Sequence, residues 1–359
     1  MKVGLLIYGS LETLSGGYLY DRRLVAHLRA LGEQVEIVAL PWRNYARHLS
    51  DNLSAALHRR LEGLAVDVLV QDELNHPSLF WTNRRLRQRA AFPLVAIVHH
   101  LRSSEQRPAW QNFFYRAAER LYLASVDGFI FNSQTTRQVV EDLNKQPRPS
   151  VVAYPAGDRL RPQVAPDEIA RRATEPGPLR LFFLGNLIPR KGLHTLLAAL
   201  AALPSSDWTL EVAGSLEMDA PYAQAMLRQA AAPGLDGRVH FAGPLHDQDL
   251  AARLRASHVL VVPSSYEGFG IAYLEGMGFG LPAIASSGGA AGEIITHGQD
   301  GFLIPPGDAA ALAGQLAALA GDRRRLLAMG LAAHRRYAAH PTWEAAMEQI
   351  RRFLYTLCR

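Results

Sequence analysis

Apolar positions along this chain follow two alternating rhythms. Short β-branched runs closed by glycine, proline or polar residues read as strands over 2–8, 34–40, 66–71, 93–98, 128–131 and 150–154. The same signal recurs over 179–184, 209–213, 239–241, 259–262 and 281–285. Between these runs, apolar residues three and four apart predict helices over 18–31, 43–63, 78–91, 108–126 and 134–143. Further helices are predicted over 193–202, 250–256, 271–279, 309–319, 322–339 and 342–357. Strand, helix, strand is the βαβ unit of an α/β fold, and a chain of 359 residues holds two domains naturally. The proline-, arginine- and acid-rich stretch 157–177 reads as the connection between them.

The chemistry concentrates after two of the later strands. The strand 259–262 ends at Pro263, and a glycine-containing loop 264–270 leads into the helix 271–279. The ligand side of such a unit is the loop at the carboxyl end of the strand. Glu267 lies in that loop and Glu275 in the helix, with small residues Gly268, Gly270, Ala272 and Gly276 around them. Two carboxylates beside free N–H groups of a helix start suit a polyhydroxylated ligand, such as a sugar or ribose. The bland alternative makes both glutamates solvated helix-end residues. Likewise, Gly185 and Gly192 flank Arg190 and Lys191 between the strand 179–184 and the helix 193–202, which lets both cations reach a phosphate. Otherwise they are two exposed loop charges.

The run Glu267-Gly-Phe-Gly followed by Glu275, then Pro282, Gly288-Gly289, Glu293 and Gly301-Phe-Leu-Ile-Pro-Pro-Gly307-Asp308, resembles the signature of glycosyltransferase family 4. The resemblance covers most of the second half and is weaker in the first. It implies an α/β protein of two Rossmann-like domains facing each other across a cleft, the GT-B architecture. The first, 1–160, would bind the acceptor; 161–177 would link it to a nucleotide-sugar domain, 178–341; and a last helix, 342–359, would cross back to the first. It implies a retaining transfer of a hexosyl group from a nucleotide-diphosphate sugar to a hydroxyl acceptor, with no cofactor and no protein nucleophile. Carried onto this chain, Arg190, Lys191, Gly185 and the N–H groups of Gly16 and Gly17 would meet the diphosphate. Glu267 and the backbone of Phe269 and Gly270 would hold the sugar, and Glu275 the ribose. His99, with His100 as rival, would line the active site. Asn186 departs from the family, where many members carry arginine. No acceptor-binding residue is assigned.

Charge adds a possible partner. Residues 1–165 carry 21 Lys and Arg against 15 Asp and Glu, a net of +6, whereas 166–359 carry 17 against 18. A basic first domain suits an anionic membrane surface, an anionic glycan or nucleic acid, or is simply a solvated arginine-rich face. Many glycosyltransferases of the resembling architecture act on lipid or lipid-linked acceptors and others on soluble glycans or small molecules, so the expectation is a cytoplasmic protein, peripheral on the inner face of the membrane if its acceptor is a lipid, with no nucleic acid. The one cysteine, Cys358, permits no disulfide within the chain, in keeping with a cytoplasmic protein. No apolar run has the length of a membrane span, and the N-terminal residues read as a strand rather than a signal peptide. Asp247 and Asp249 form an Asp-x-Asp pattern, which reads as an N-cap and a first-turn acid rather than a metal site. No His, Cys and carboxylate set is close in sequence, so no metal is expected. Trp110, Phe113, Phe114, Tyr115 and Tyr122 on the predicted helix 108–126 read as core or domain-face residues. The rivals to a transferase are a nucleotide-sugar epimerase of similar fold and a non-catalytic sugar-nucleotide sensor or membrane scaffold.

Overall fold

The predicted strands pair in parallel, and the sheets they form are closed on both faces by helices. A computed structural model describes residues 1–358. The chain divides into two units, Met1–Pro155 with Pro341–Arg359, and Ala156–His340.

The first unit runs β1 (Lys2–Tyr8), α1 (Gly16–Ala30), β2 (Gln34–Leu40), α2 (Tyr45–Asp51), α3 (Ala55–Glu62), β3 (Val68–Asp72), α4 (His76–Leu86), β4 (Leu94–Val98), α5 (Ala109–Leu123), β5 (Gly128–Phe131), α6 (Gln134–Leu143) and β6 (Ser150–Val152). Its six-stranded sheet has the order β2-β1-β3-β4-β5-β6, with Leu5 opposite Ile37 on one side and Val70 on the other. Every residue of β3 and β4 is buried, which is why both read as continuous rather than alternating apolar runs. The helix expected over 43–63 is two helices, because Asn52 ends α2 and the side chain of Ser54 caps α3. The glycine pair Gly16-Gly17, expected in a turn, opens α1 after the Ser15 cap.

The second unit runs α7 (Pro166–Thr174), β7 (Leu179–Leu184), α8 (Leu193–Ala201), β8 (Trp208–Ala213), α9 (Ala220–Ala230), β9 (Val239–Gly243), α10 (Asp247–Ala256), β10 (Val259–Val262), α11 (Ile271–Gly278), β11 (Ala283–Ser286), β12 (Gly301–Ile304), α12 (Ala309–Gly321) and α13 (Arg323–Ala338). Its sheet has the order β12-β11-β10-β7-β8-β9. The stretch 161–177, expected as a linker, holds α7, with Pro166 at its start, acids in its first turn and arginines in its last. The buried guanidinium of Arg172 donates to the carbonyls of Arg255, Phe279 and Gly280, so this stretch is part of the second unit. Asp247 is not a cap either: His246 occupies that position without a side-chain bond, and Asp247 starts α10.

The terminal helix α14 (Trp343–Leu357) belongs to the first unit. Ile350 and Leu354 are buried, and Arg351 and Tyr355 donate to Glu33 at 2.9 and 2.7 Å. The N-terminal ammonium of Met1 reaches the same carboxylate at 2.6 Å.

Candidate functional site

In an open parallel sheet, ligands bind where the connections turn to opposite sides of neighbouring strands. In the second unit that point lies between β7, which leads to β8, and β10, on its other flank. The loop after β7 carries Gly185 to Gly192, and the loop after β10 carries Pro263 to Gly270, so the fold brings together the two stretches singled out by the sequence.

Gly192 makes this junction possible. It sits at φ 74°, and a Cβ there would lie 2.1 Å from the carbonyl oxygen of Pro263, so only glycine fits between the loops. The backbone of Glu267 is tied to the following turn: its N–H donates to Gly288 O, and Ala290 N donates back to its carbonyl. A Cβ on Gly289 would meet that carbonyl at 2.0 Å.

The side chains then form a small ionic cluster. Lys191 Nζ lies 2.5 Å from Glu267 Oε1, and Ser264 Oγ donates to the same oxygen at 2.6 Å. Arg190 NH1 donates to Tyr266 O at 2.8 Å and lies 3.7 Å from Glu267 Oε2. Burial alone would raise the Glu267 carboxyl, but the charges of Lys191 and Arg190 outweigh it and hold it down at about 2. Burial pulls the ammonium of Lys191 below its ordinary value against the opposing charge of Glu267, and Arg190 adds to the fall. Two cations thus flank one carboxylate, on groups whose geometry is already fixed. Gly185 lies under this cluster, where a Cβ would stand 3.3 Å from the Lys191 stem. The side chain of Asn186 accepts from Ser215 N at 3.2 Å.

Phe269 is buried with its ring 5.8 Å from that of His340, so its side chain serves the core of the unit. Gly270 takes φ 107° at the start of α11. Glu275, one turn into that helix, is buried and accepts from Arg159 Nε at 2.8 Å. Arg159 also donates from NH1 to Asp247 at 2.7 Å. Sequence reading missed Arg159, which lies 116 positions from Glu275 in a stretch taken as connecting chain. It missed Ser264 too, although that residue stands only three positions before Glu267.

The first unit has its own switch point between β1 and β3. Gly16 and Gly17 open α1 there, and their N–H groups belong to the unsatisfied set of a helix start. His99, directly after β4, packs its ring on Gly17, where a Cβ would stand 3.1 Å from His99 Cδ2. Its Nε2 lies 3.5 Å from Asp21 Oδ1. His100 turns instead to Glu105, at 3.0 Å. Asp21, Asp72 and His99 converge so that one ligand atom from each lies within 4.8 Å of the others, and all three are buried. Their positions, 51 and 27 residues apart, follow no ligand spacing, and no sequence signal marked the two aspartates as partners.

The chain is similar to known proteins in sequence and in fold. A family model described as glycosyl transferases group 1 matches residues 166–336. The chain is 28% identical over 392 residues to a phosphatidyl-myo-inositol mannosyltransferase of Mycobacterium leprae, covering 99% of this chain and 97% of that one. It is 33% identical over 203 residues to a D-rhamnosyltransferase, WbpZ, of Pseudomonas aeruginosa, covering 55% of this chain and 51% of the relative, about half its length. Among solved structures, a sucrose-phosphate synthase of Thermosynechococcus elongatus superposes with a TM-score of 0.84 at 22% identity, covering 99% of this chain and 98% of that one. Anabaena HepE, solved with UDP and glucose, gives 0.80 at 21% identity, covering 99% of this chain and 100% of that one. These neighbours share the two-domain, Rossmann-like GT-B fold. Residues 166–336, built around the Lys191–Glu267 cluster, thus carry the domain of the glycosyl transferases of group 1, and the relatives this chain matches are named glycosyltransferases.

Proposed function

We propose that the protein moves a hexosyl group from a nucleotide-diphosphate sugar to a hydroxyl acceptor, with retention at the anomeric carbon. The observation that carries this reading is that Arg190 and Lys191 are held beside Glu267 at the switch point of the second unit. When the bond from C1 to the phosphate oxygen breaks, negative charge develops on the leaving diphosphate, and fixed cations already in place stabilise it without reorganising. The acceptor oxygen forms the new bond to C1 on the same face, and its proton passes to the departing phosphate oxygen, so no protein nucleophile is needed. Glu267 serves twice, ordering Lys191 and accepting from donor-sugar hydroxyls, while Glu275 takes the ribose. In the first unit, the proposal gives Gly16 and Gly17 an anionic oxygen of substrate and His99 a place beside the reacting sugar or acceptor. Incubation with a panel of sugar nucleotides, with nucleotide release read by chromatography and product configuration by NMR, tests it. Inverted product overturns retention, and an epimerised donor formed without acceptor favours the epimerase instead.

Because Arg190 and Lys191 supply the positive charge, turnover is expected to stay within twofold after treatment with EDTA. Loss of activity that Mg²⁺ or Mn²⁺ restores contradicts this.

The acceptor side of the proposal is a lipid or lipid-linked hydroxyl presented at an anionic membrane surface. Trp110, Phe113 and Phe114, expected in a core or at a domain face, are instead 64%, 70% and 63% exposed. They stand three and four positions apart on α5 and so share one face. Arg116 and Arg120 on the same helix are exposed, and the first unit carries 22 Lys and Arg against 16 Asp and Glu. Aromatic and basic residues on one amphipathic helix fit the interface of an anionic bilayer. Several arginines counted toward this surface are already paired, Arg43 with Asp51, Arg85 and Arg89 with Glu62, and Arg87 with Asp127, so α5 bears most of the case. Among the described residues no helix is long and apolar enough to cross a membrane. Replacing the three α5 aromatics by alanine is expected to weaken co-sedimentation with anionic vesicles at least about tenfold, since each buried aromatic contributes about 1.5–3 kcal/mol. Binding of the parent protein that ignores lipid charge and salt removes the membrane from the proposal.

A further inference from the structure

Gly17 and Asp21 are four residues apart on α1, so they share the face on which the His99 ring rests. The backbone of His99 is clamped from both sides: its N–H donates to Glu73 at 3.0 Å, and Asn132 donates to its carbonyl at 2.8 Å. Tyr20 meets the ring edge to face at 5.3 Å. Asp21 is fully buried, and both of its carboxylate oxygens lack a well-formed hydrogen bond, as does Asp72 Oδ2. Such atoms cost free energy unless a charge or a proton lies among them. Here His99 Nε2, 3.5 Å from Asp21, is the neighbouring cationic group able to supply a charge.

We propose that Asp21 is a positioning residue acting through His99: its carboxylate holds Nε2–H, fixes the ring against Gly17, and keeps the imidazole doubly protonated so that Nδ1–H is the donor presented to a substrate oxygen. The inference rests on the reading that His99 meets substrate, and deepens it. The chemical partner is an anionic or hydroxyl oxygen, because a protonated imidazole only donates, as do the N–H groups of Gly16 and Gly17 beside it.

The surrounding groups allow this arrangement. The titratable neighbours are Asp21 and Tyr20 from α1, Asp72 from the end of β3 and Glu73 from the turn after it. Burial, then the charge of Asp21, raise the Asp72 carboxyl to about 7, and burial, then the charge of Asp72, raise that of Glu73 well above its ordinary value. Close buried carboxylates do not all ionise freely, and it is the Asp21 carboxylate whose oxygen lies against the ring nitrogen. Burial works against the charged imidazole, yet the nearby carboxylate of Asp21, with that of Asp72 behind it, raises His99 above its ordinary value.

The test is the NMR titration of ¹³Cε1-labelled histidine in the full chain, with the His99 signal assigned by its loss in His99→Asn. Removing an opposite charge at this distance moves a pKa by about one to three pH units, so Asp21→Asn is expected to lower the His99 midpoint by that much. Asp72→Asn is expected to lower it less, and serves if the first variant folds poorly. The alkaline limb of kcat/KM, measured with the donor that turns over, is expected to move down with the midpoint in Asp21→Asn. A midpoint unchanged in both variants overturns the proposal. So does a midpoint that moves while the pH profile of kcat/KM stays put. Quenching of the wild-type titration by stoichiometric Zn²⁺ overturns it in favour of a metal bound by Asp21, Asp72 and His99. Full activity of His99→Asn is a separate outcome, showing that His99 does not meet substrate whatever Asp21 does to its ring.

Discussion

Replacing Lys191 with alanine is expected to lower kcat by about 10²–10³-fold, the usual cost of removing one preorganised donor to a developing negative charge. The same substitution has a second, separable effect on stability. Glu267 sits at about 2, below its ordinary 4.5, chiefly through Lys191. A carboxyl held low in the folded state contributes stability that is present above pH 4.5 and lost as the pH falls through about 2. The full gap corresponds to about 3 kcal/mol, and Arg190 and Ser264 retain part of it in the variant. The stability difference between parent and variant is therefore expected to be largest near neutrality and to close on acidification. Denaturant unfolding at several pH values reads that difference. Kinetics at neutral pH, with both proteins fully folded, read the catalytic loss. A kcat within threefold of the parent in both Lys191→Ala and Arg190→Ala removes the phosphate assignment.

Glu275→Gln is expected to weaken nucleotide binding by about 10–100-fold, whereas Glu267→Gln is expected to leave nucleotide affinity within a few-fold and lower kcat instead. A hydrogen bond to a charged group contributes about 1.5–3 kcal/mol, which sets the scale for the ribose contact. Glu275 is buried and held by Arg159, so its carboxylate is fixed before a ligand arrives. Arg159→Gln is the control, since it loosens Glu275 without removing it, and a smaller loss of affinity is expected. Calorimetric titration of the nucleoside diphosphate into the three variants measures this. Equal losses in Glu267→Gln and Glu275→Gln collapse the division of roles.

The sequence by itself determined most strands, most helices and the two loops that carry the second unit's chemistry. Those features are local: β-branched runs, 3.6-residue periods and glycines beside charged residues are read within a dozen positions. It placed Glu267, Glu275, Arg190 and Lys191 near strand ends for the same reason. It misjudged α7, where prolines and charges resemble connecting chain, although Pro166, Asp167 and Glu168 are also helix-start signals. Whether an amphipathic helix finds a partner is not encoded in its period, so of the aromatics read as core or domain-face residues Tyr122 is buried while Trp110, Phe113 and Phe114 stand exposed. Only the tertiary structure decided which charges meet. Lys191 reaches Glu267 across 76 positions because β7 and β10 are neighbours in the sheet, although two strands and three helices separate them along the chain. Asp21 and Asp72 reach His99 because β1, β3 and β4 lie side by side and α1 starts above them. Strand order is set by the packing of whole apolar faces, so it fixes long-range ion pairs that no spacing rule along the chain expresses.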